Sequence, residues 1–212
     1  MKKLFLLIPV VLAVSSSAWA AACTPDALSV YEGAGFSCSI GNLVFSDFTS
    51  TGIDTSTNVT DVTGSEAGLD FGVDLSAIGP GNQGASIDYL VTCDMCTIDD
   101  WALATGGAGS AGEGAVSVVE FSTPGVLNQF TQGPTNTTTG TGFAMFSPAD
   151  SALSITNSIA LGGGTAGTVT TLGSVTNLFS LTSTASTPEP SSLMLCVGLL
   201  ALLPFARRRF VR

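Results

Sequence analysis

Apolar and polar side chains alternate through much of the chain, most clearly in Leu69-Asp70-Phe71-Gly72-Val73-Asp74-Leu75. Strand side chains point to opposite faces with period two, so Leu69, Phe71, Val73 and Leu75 share one face and Asp70 and Asp74 the other. Ile87, Tyr89, Val91 and Cys93 repeat the pattern, with Asp88 and Thr92 outward. Weaker runs lie around Leu43 to Thr49, Asn58 to Thr63, Ala115 to Phe121, Phe143 to Phe146, Ser154 to Leu161 and Thr168 to Leu181. Short strands punctuated by Gly, Asn and Pro predict an all-β fold, an antiparallel β-sandwich. One short N-terminal helix is expected over Pro25 to Tyr31. Gly106 to Gly114 and Gln132 to Gly142 read as low-complexity loops.

Two segments depart from this pattern, one at each end. Lys2-Lys3 precedes the apolar run Leu4 to Val14, then Ser15-Ser16-Ser17 and Ala18-Trp19-Ala20. A positive start, an eleven-residue apolar run and a small-x-small site make residues 1–20 a secretory signal, with Ala18 and Ala20 marking cleavage. Cleavage just before Cys23 is the competing site, and Ala20-Ala21-Ala22-Cys23 also allows a lipoprotein signal. At the other end, residues 181–187 read as a Ser/Thr linker. Residues 188–212 hold Pro188-Glu189-Pro190, an apolar stretch from Ser191 to Ala206 and Arg207-Arg208-Arg209. As a helix that stretch would be about 24 Å long, short against a hydrocarbon core of about 30 Å. Lys2, Lys3 and the Arg cluster stay cytoplasmic by the positive-inside rule, which puts residues 21–180 outside as one body. The bland alternative is an ordinary single-pass anchor.

Charge sharpens the division. Of 212 residues sixteen are Asp or Glu, six are Lys or Arg and none is His. All six bases belong to the two ends, and fifteen of the acids, all but Glu189, lie between Cys23 and Ser186. A body without Lys or Arg cannot neutralise phosphates, so no nucleic-acid partner is expected. Without His or Lys, imidazole-assisted nucleophiles, Schiff bases and P-loops are excluded.

Paired carboxylates remain as the one catalytic chemistry open, with Asp99, Asp100, Glu113 and Glu120 as candidates. No local motif singles them out, and the expectation is that the body is not an enzyme. Calcium is a further use for so many carboxylates, but Asp54-x3-Asn58-x2-Asp61 does not match an EF-hand loop, and no cofactor or metal is expected. Thr137-Thr138-Thr139 and Thr168-Val169-Thr170 lack the regular spacing of an ice-binding ladder.

Cys23, Cys38, Cys93 and Cys96 lie in the exported body, and an even count in an oxidising compartment reads as two disulfides. The favoured pairing is Cys23 with Cys38 and Cys93 with Cys96. Redox catalysis by Cys93-Asp94-Met95-Cys96 and a zinc site are the rivals. Acidic neighbours disfavour the first, and poor spacing and export disfavour the second.

Pro188-Glu189-Pro190, the short apolar stretch and the Arg-rich end resemble the PEP-CTERM sorting signal of Gram-negative bacteria, a tail also labelled an ice-binding-protein C-terminal domain. The resemblance implies cleavage by an exosortase-type enzyme after signal peptidase has acted. It also implies transient anchoring in the membrane and delivery to the cell envelope, cell surface or exopolysaccharide matrix. The body resembles uncharacterised PEP-CTERM proteins at Cys23-x4-Leu28-x2-Tyr31, Gly35-x2-Cys38-x-Ile40-Gly41, Phe45-x2-Phe48, Gly68-Leu69-x-Phe71, Ser86-Ile87-Asp88-Tyr89-x-Val91, Ile98-x2-Trp101-x-Leu103 and Gly114-x-Val116-x-Val118-x-Glu120. That second resemblance implies no activity. The expected function is a non-catalytic envelope or matrix protein. The alternatives are a module that binds extracellular polysaccharide, for which Trp101 is the one surviving Trp, and a two-carboxylate hydrolase.

Overall fold

The computed structural model describes residues 20–183 apart from 123, 124, 134, 135 and 141. The expected signal peptide up to Trp19, with Ala18, and the sorting residues Pro188, Glu189, Pro190, Arg207, Arg208 and Arg209 lie outside the described residues. In chain order the first elements are β1 (Ala21–Ala22), β2 (Asp26–Ala27), helical turn α1 (Leu28–Tyr31), β3 (Ser37–Ile40), β4 (Leu43–Thr51), β5 (Asn58–Val62) and β6 (Ala67–Phe71). Then come β7 (Leu75–Ile78), β8 (Asn82–Cys93), β9 (Cys96–Gly106), β10 (Gly109–Ser110), β11 (Ala115–Ser122) and β12 (Gly125–Gln132). The last are β13 (Thr137–Thr139), β14 (Phe143–Asp150), β15 (Ala152–Gly162), β16 (Val169–Leu172) and β17 (Ser174–Ser183).

The fold is all-β with several sheets. The largest sheet runs β1-β3-β4-β8-β15-β11-β12-β13, the second β14-β9-β17-β6-β5-β2, and a small third β10-β16-β7. The two large sheets face each other through aromatic contacts. Phe45 of the first lies 6.2 Å from Phe179 of the second, and Tyr89 of the first 5.7 Å from Phe71. Period two holds in β8, where Ile87, Tyr89 and Val91 are buried and Asp88 and Thr92 only partly so. Apolar burial on this scale, about 25 cal/mol per Å² removed from water, is what holds the two layers together.

The structure corrects several details. The run Leu69 to Leu75 keeps its alternation, with Leu69, Phe71, Val73 and Leu75 all buried, but it is not one strand. It breaks after Phe71, and β6 and β7 enter different sheets. At the break Asp74 has φ 42°, left-handed backbone that cannot continue a strand. The helix expected from Pro25 to Tyr31 is a single turn, because Asp26 and Ala27 pair with β5. Ala27 caps it with no side-chain acceptor, and the Leu28 and Ser29 N–H groups bond instead to the Thr57 and Thr55 carbonyls. Pairing is not wholly antiparallel, since β1 lies parallel to β3. The two segments read as loops contain the short strands β10 and β13, and β17 runs to Ser183, into the segment read as linker.

Register places both ends of the body together. Ile40 pairs with Leu43, Leu43 with Cys93, and Ser183 with Cys96, so these residues share one end of the two large sheets. β1 runs parallel to β3 with Ala21 opposite Cys38, only two residues from Ile40. Ala21 is therefore close to the end at which β17 finishes, and β1 runs toward that end.

Candidate functional site

The strongest concentration of polar chemistry is inside the body rather than on it. On β11, Glu120 is the cross-strand partner of Asn157 on β15, and Asn157 is in turn opposite Ile87 on β8. The alternation that buries Val116 and Val118 carries Glu120 inward with them. Asn177 on β17 enters from the facing sheet, between Leu69 and Leu103. Tyr89 on β8 completes the group.

Asn157 and Asn177 exchange amides across the gap. Asn157 Nδ2 donates to Asn177 Oδ1 at 2.8 Å, and Asn177 Nδ2 donates to Asn157 Oδ1 at 3.1 Å. The Tyr89 hydroxyl donates to the same Asn177 Oδ1 at 2.8 Å. Glu120, Asn157 and Asn177 are 0% exposed. Neither carboxyl oxygen of Glu120 finds a hydrogen-bond partner among the described residues. Burial pushes its pKa up to about 8, and the nearby Asn177 amide offsets only part of the rise. At neutral pH the group is mostly a neutral acid. Burial, and then the Glu120 carboxyl, push the Tyr89 phenol well above its ordinary range.

The chemistry of this cluster is that of a latch between sheets. A catalytic acid needs contact with substrate, and a carboxyl with no exposure has none. The other carboxylates considered for hydrolysis lie elsewhere. Glu113 is exposed just before β11, seven residues and so about 24 Å along an extended strand from Glu120. Asp99 accepts hydrogen bonds from the Thr97 and Thr182 hydroxyls, beside the register shift where β17 leaves strict pairing with β9. Asp100 sits next to it on the same strand. The structure does not gather these four into one cleft.

Scans of protein-family models and of curated proteins return no match. Function therefore rests on the residues themselves.

In the structure Cys23 joins Cys38, Cα atoms 4.7 Å apart, and Cys93 joins Cys96, 5.4 Å apart. The first pins β1 and the following segment to β3. The second closes the β8–β9 turn at the end where β17 finishes. Ala20 precedes β1, and its carbonyl accepts a hydrogen bond from the Ser39 hydroxyl. Among the described residues no group of three or more Cys, Asp or Glu converges on a metal position. Asp54 instead accepts the Ser56 N–H at 2.9 Å, and this lowers its pKa. Among the described residues no helix is long and apolar enough to cross a membrane.

With no Lys or Arg in the body, carboxylates on the strands accept hydrogen bonds from hydroxyls on neighbouring strands. Thr156 donates to Asp88 at 2.5 Å across β15 and β8, and Thr176 to Asp70 at 2.5 Å across β17 and β6. Hydrogen bonds to ionised acceptors are stronger than neutral ones, and threonine supplies them without a countercharge. Sequence reading counted Glu120 among four candidate acids without separating it from the others. The signal that would have separated Glu120 was its parity with Val116 and Val118 on β11.

A cleft of about 300 Å³ opens at the end where β17 finishes, lined by the Ile40 to Asn42 and Thr63 to Ser65 turns with Phe179 and Leu181. No charged side chain lines it. Trp101 is buried at 1% exposure and packs toward Gly125, so it offers no open face to a sugar.

Proposed function

We propose that the chain is an exported, non-catalytic protein of the cell envelope or matrix, a β-sandwich body carried by a PEP-CTERM tail. The observation that carries this reading is the tail itself: Pro188-Glu189-Pro190, sixteen residues from Ser191 to Ala206, and the Arg207 to Arg209 cluster. The body supports it in three ways. β1 begins at Ala21, directly after the small-x-small site ending at Ala20, so cleavage there would leave the fold whole. Both disulfides suit an oxidising compartment. Ala21 and Ser183 lie toward one end of the body, as a domain tethered to one membrane face through both flanking segments requires.

On this reading signal peptidase removes residues 1–20, and an exosortase-type enzyme then acts near Pro188-Glu189-Pro190. The mature body loses every base with its two addresses. The deciding experiment is the intact mass of the exported protein with and without replacement of Pro188-Glu189-Pro190 by alanines. Loss of tail processing in the variant supports the assignment, and normal processing overturns it.

A further inference from the structure

β17 is held on one side up to its last residue and released early on the other. It pairs with β9 as far as Ser183 opposite Cys96, and the Cys93–Cys96 disulfide closes the turn beside that last pair. With β6 it pairs only as far as Phe179 opposite Ala67, so β6 does not cover β17 from Ser180 onward. The cleft of about 300 Å³ opens there, between Leu181 and the Thr63 to Ser65 turn. Ile40 and Phe179 give it a buried apolar floor, and the exposed Asn42, Thr63 and Ser65 form its rim.

From Ser183, five residues of chain lead to Pro188, and they span at most about 18 Å. Leu181 lies two strand positions before Ser183, about 7 Å back along β17. An enzyme that acts at Pro188-Glu189-Pro190 therefore works within about 25 Å of the cleft and must lie against this end of the body. Turns at this end carry Glu66 and Asp94, but no charged side chain lines the cleft. Another cleft, of about 240 Å³, is lined by Glu32 and Asp47 and sits beside Ser37 and Ser46, at the opposite end of the β3–β4 ladder from Ile40 and Leu43. Phe121 with Val126 and Ile78 with Val169 are exposed apolar pairs, yet no stretch of chain ties a partner to either.

We propose that the cleft between Leu181 and the Thr63 to Ser65 turn docks the tail-processing enzyme, taking an uncharged loop with an apolar side chain while the tail occupies the active site. This docking rests on the sorting reading above and adds a second contact to it. A folded body five residues from a scissile segment either obstructs an enzyme or guides it. Guidance fits this surface, because a concavity two residues from the end of β17 is neutral in a body otherwise rich in carboxylates. The disulfide beside Ser183 fixes where the chain leaves relative to the cleft, so the spacing between the two contacts is constant. A short tether that spans two sites raises the effective concentration of the second.

The test follows tail processing of the full-length chain by pulse-chase in cells that export and process it. Thr63→Trp combined with Ser65→Trp fills the cleft from its exposed rim and should slow processing about tenfold. Ser76→Trp, exposed on the third sheet, should leave the rate unchanged. Inserting about twelve Gly and Ser residues after Ser186 should also slow processing, because a longer tether dilutes the second contact. Peptide mapping without reduction, showing both disulfides in every variant, establishes that the body has folded. Faster processing of the insertion variant would make the body an obstacle, and an unchanged rate in the filled-cleft variant would leave the cleft without this partner; either result overturns the docking. Replacement of Pro188-Glu189-Pro190 by alanines separates the two readings. If that alone abolishes processing, the sorting assignment stands whatever the cleft variants do, and if processing is indifferent to it, both fall.

Discussion

Glu120 and Asn157 are direct cross-strand partners on the inner face of the largest sheet, yet only the asparagine is hydrogen-bonded to the opposite sheet. The carboxyl is left in a dry interior, where its neutral form costs less than its charged form.

This makes stability depend on pH with a definite sign. Glu120 has a pKa of about 8 folded against an ordinary 4.5, so the folded state holds its proton more tightly. Its favourable contribution is complete below about pH 4.5 and is lost as pH rises through about 8. At pH 7 the loss is on the order of 3 kcal/mol, at 1.36 kcal/mol per pKa unit. Glu120→Gln should flatten the fall in stability between about pH 5 and about pH 8 and raise stability at the alkaline end. Urea midpoints across that range check it; parallel curves for the two proteins would contradict the assignment.

The amide exchange between Asn157 and Asn177 should behave as a unit. Asn177→Ala leaves the Tyr89 hydroxyl and the Asn157 amide without their acceptor, at about 1–3 kcal/mol for each buried group stranded. Tyr89→Phe removes one donor only and should cost about 1 kcal/mol. Replacing both asparagines by leucine should cost less than the two single replacements added together, because no partner is then abandoned. A double-mutant cycle by chemical denaturation measures the coupling, and simple additivity would count against a shared network.

The two disulfides should differ in weight. Closing the fifteen-residue loop between Cys23 and Cys38 is worth about 3 kcal/mol by the chain-entropy relation, and the three-residue loop of Cys93 and Cys96 about 1.5 kcal/mol. Cys23→Ser with Cys38→Ser should therefore lower the urea midpoint about twice as far as the other pair of replacements. Peptide mapping without reduction provides the check on pairing; free thiols at Cys93 and Cys96 would contradict the second bond.

The sequence showed which elements exist more clearly than where they stop or pair. β8 was legible because Ile87, Tyr89 and Val91 alternate with polar residues over its length. β12 was not, since Asn128, Gln129, Thr131 and Gln132 give a strand too polar for a periodic signal. It persists because β11 pairs with it along its whole length, and β13 pairs with Phe130 to Gln132 on its other side. The interior cluster was half visible. Glu120 was among the candidate acids, but Asn157 and Asn177 had no marker, being twenty residues apart and meeting only when the two sheets close. Short spacing favoured pairing Cys23 with Cys38 and Cys93 with Cys96, while redox and zinc readings of the same cysteines stayed open.

Asp74 sets pattern against backbone. Alternation alone would treat it as an outward strand position between Val73 and Leu75, where a β-branched residue should strengthen the strand. In the structure it is exposed, and its φ of 42° lets the chain leave β6 in one sheet and start β7 in another. Aspartate and asparagine tolerate that backbone, whereas a branched Cβ crowds it. Asp74→Val should destabilise the protein by about 1–2 kcal/mol, and Asp74→Asn should be close to neutral. Thermal or urea unfolding of the two variants distinguishes the views. A gain in stability for Asp74→Val would mean that one continuous strand from Leu69 to Leu75 is the better description.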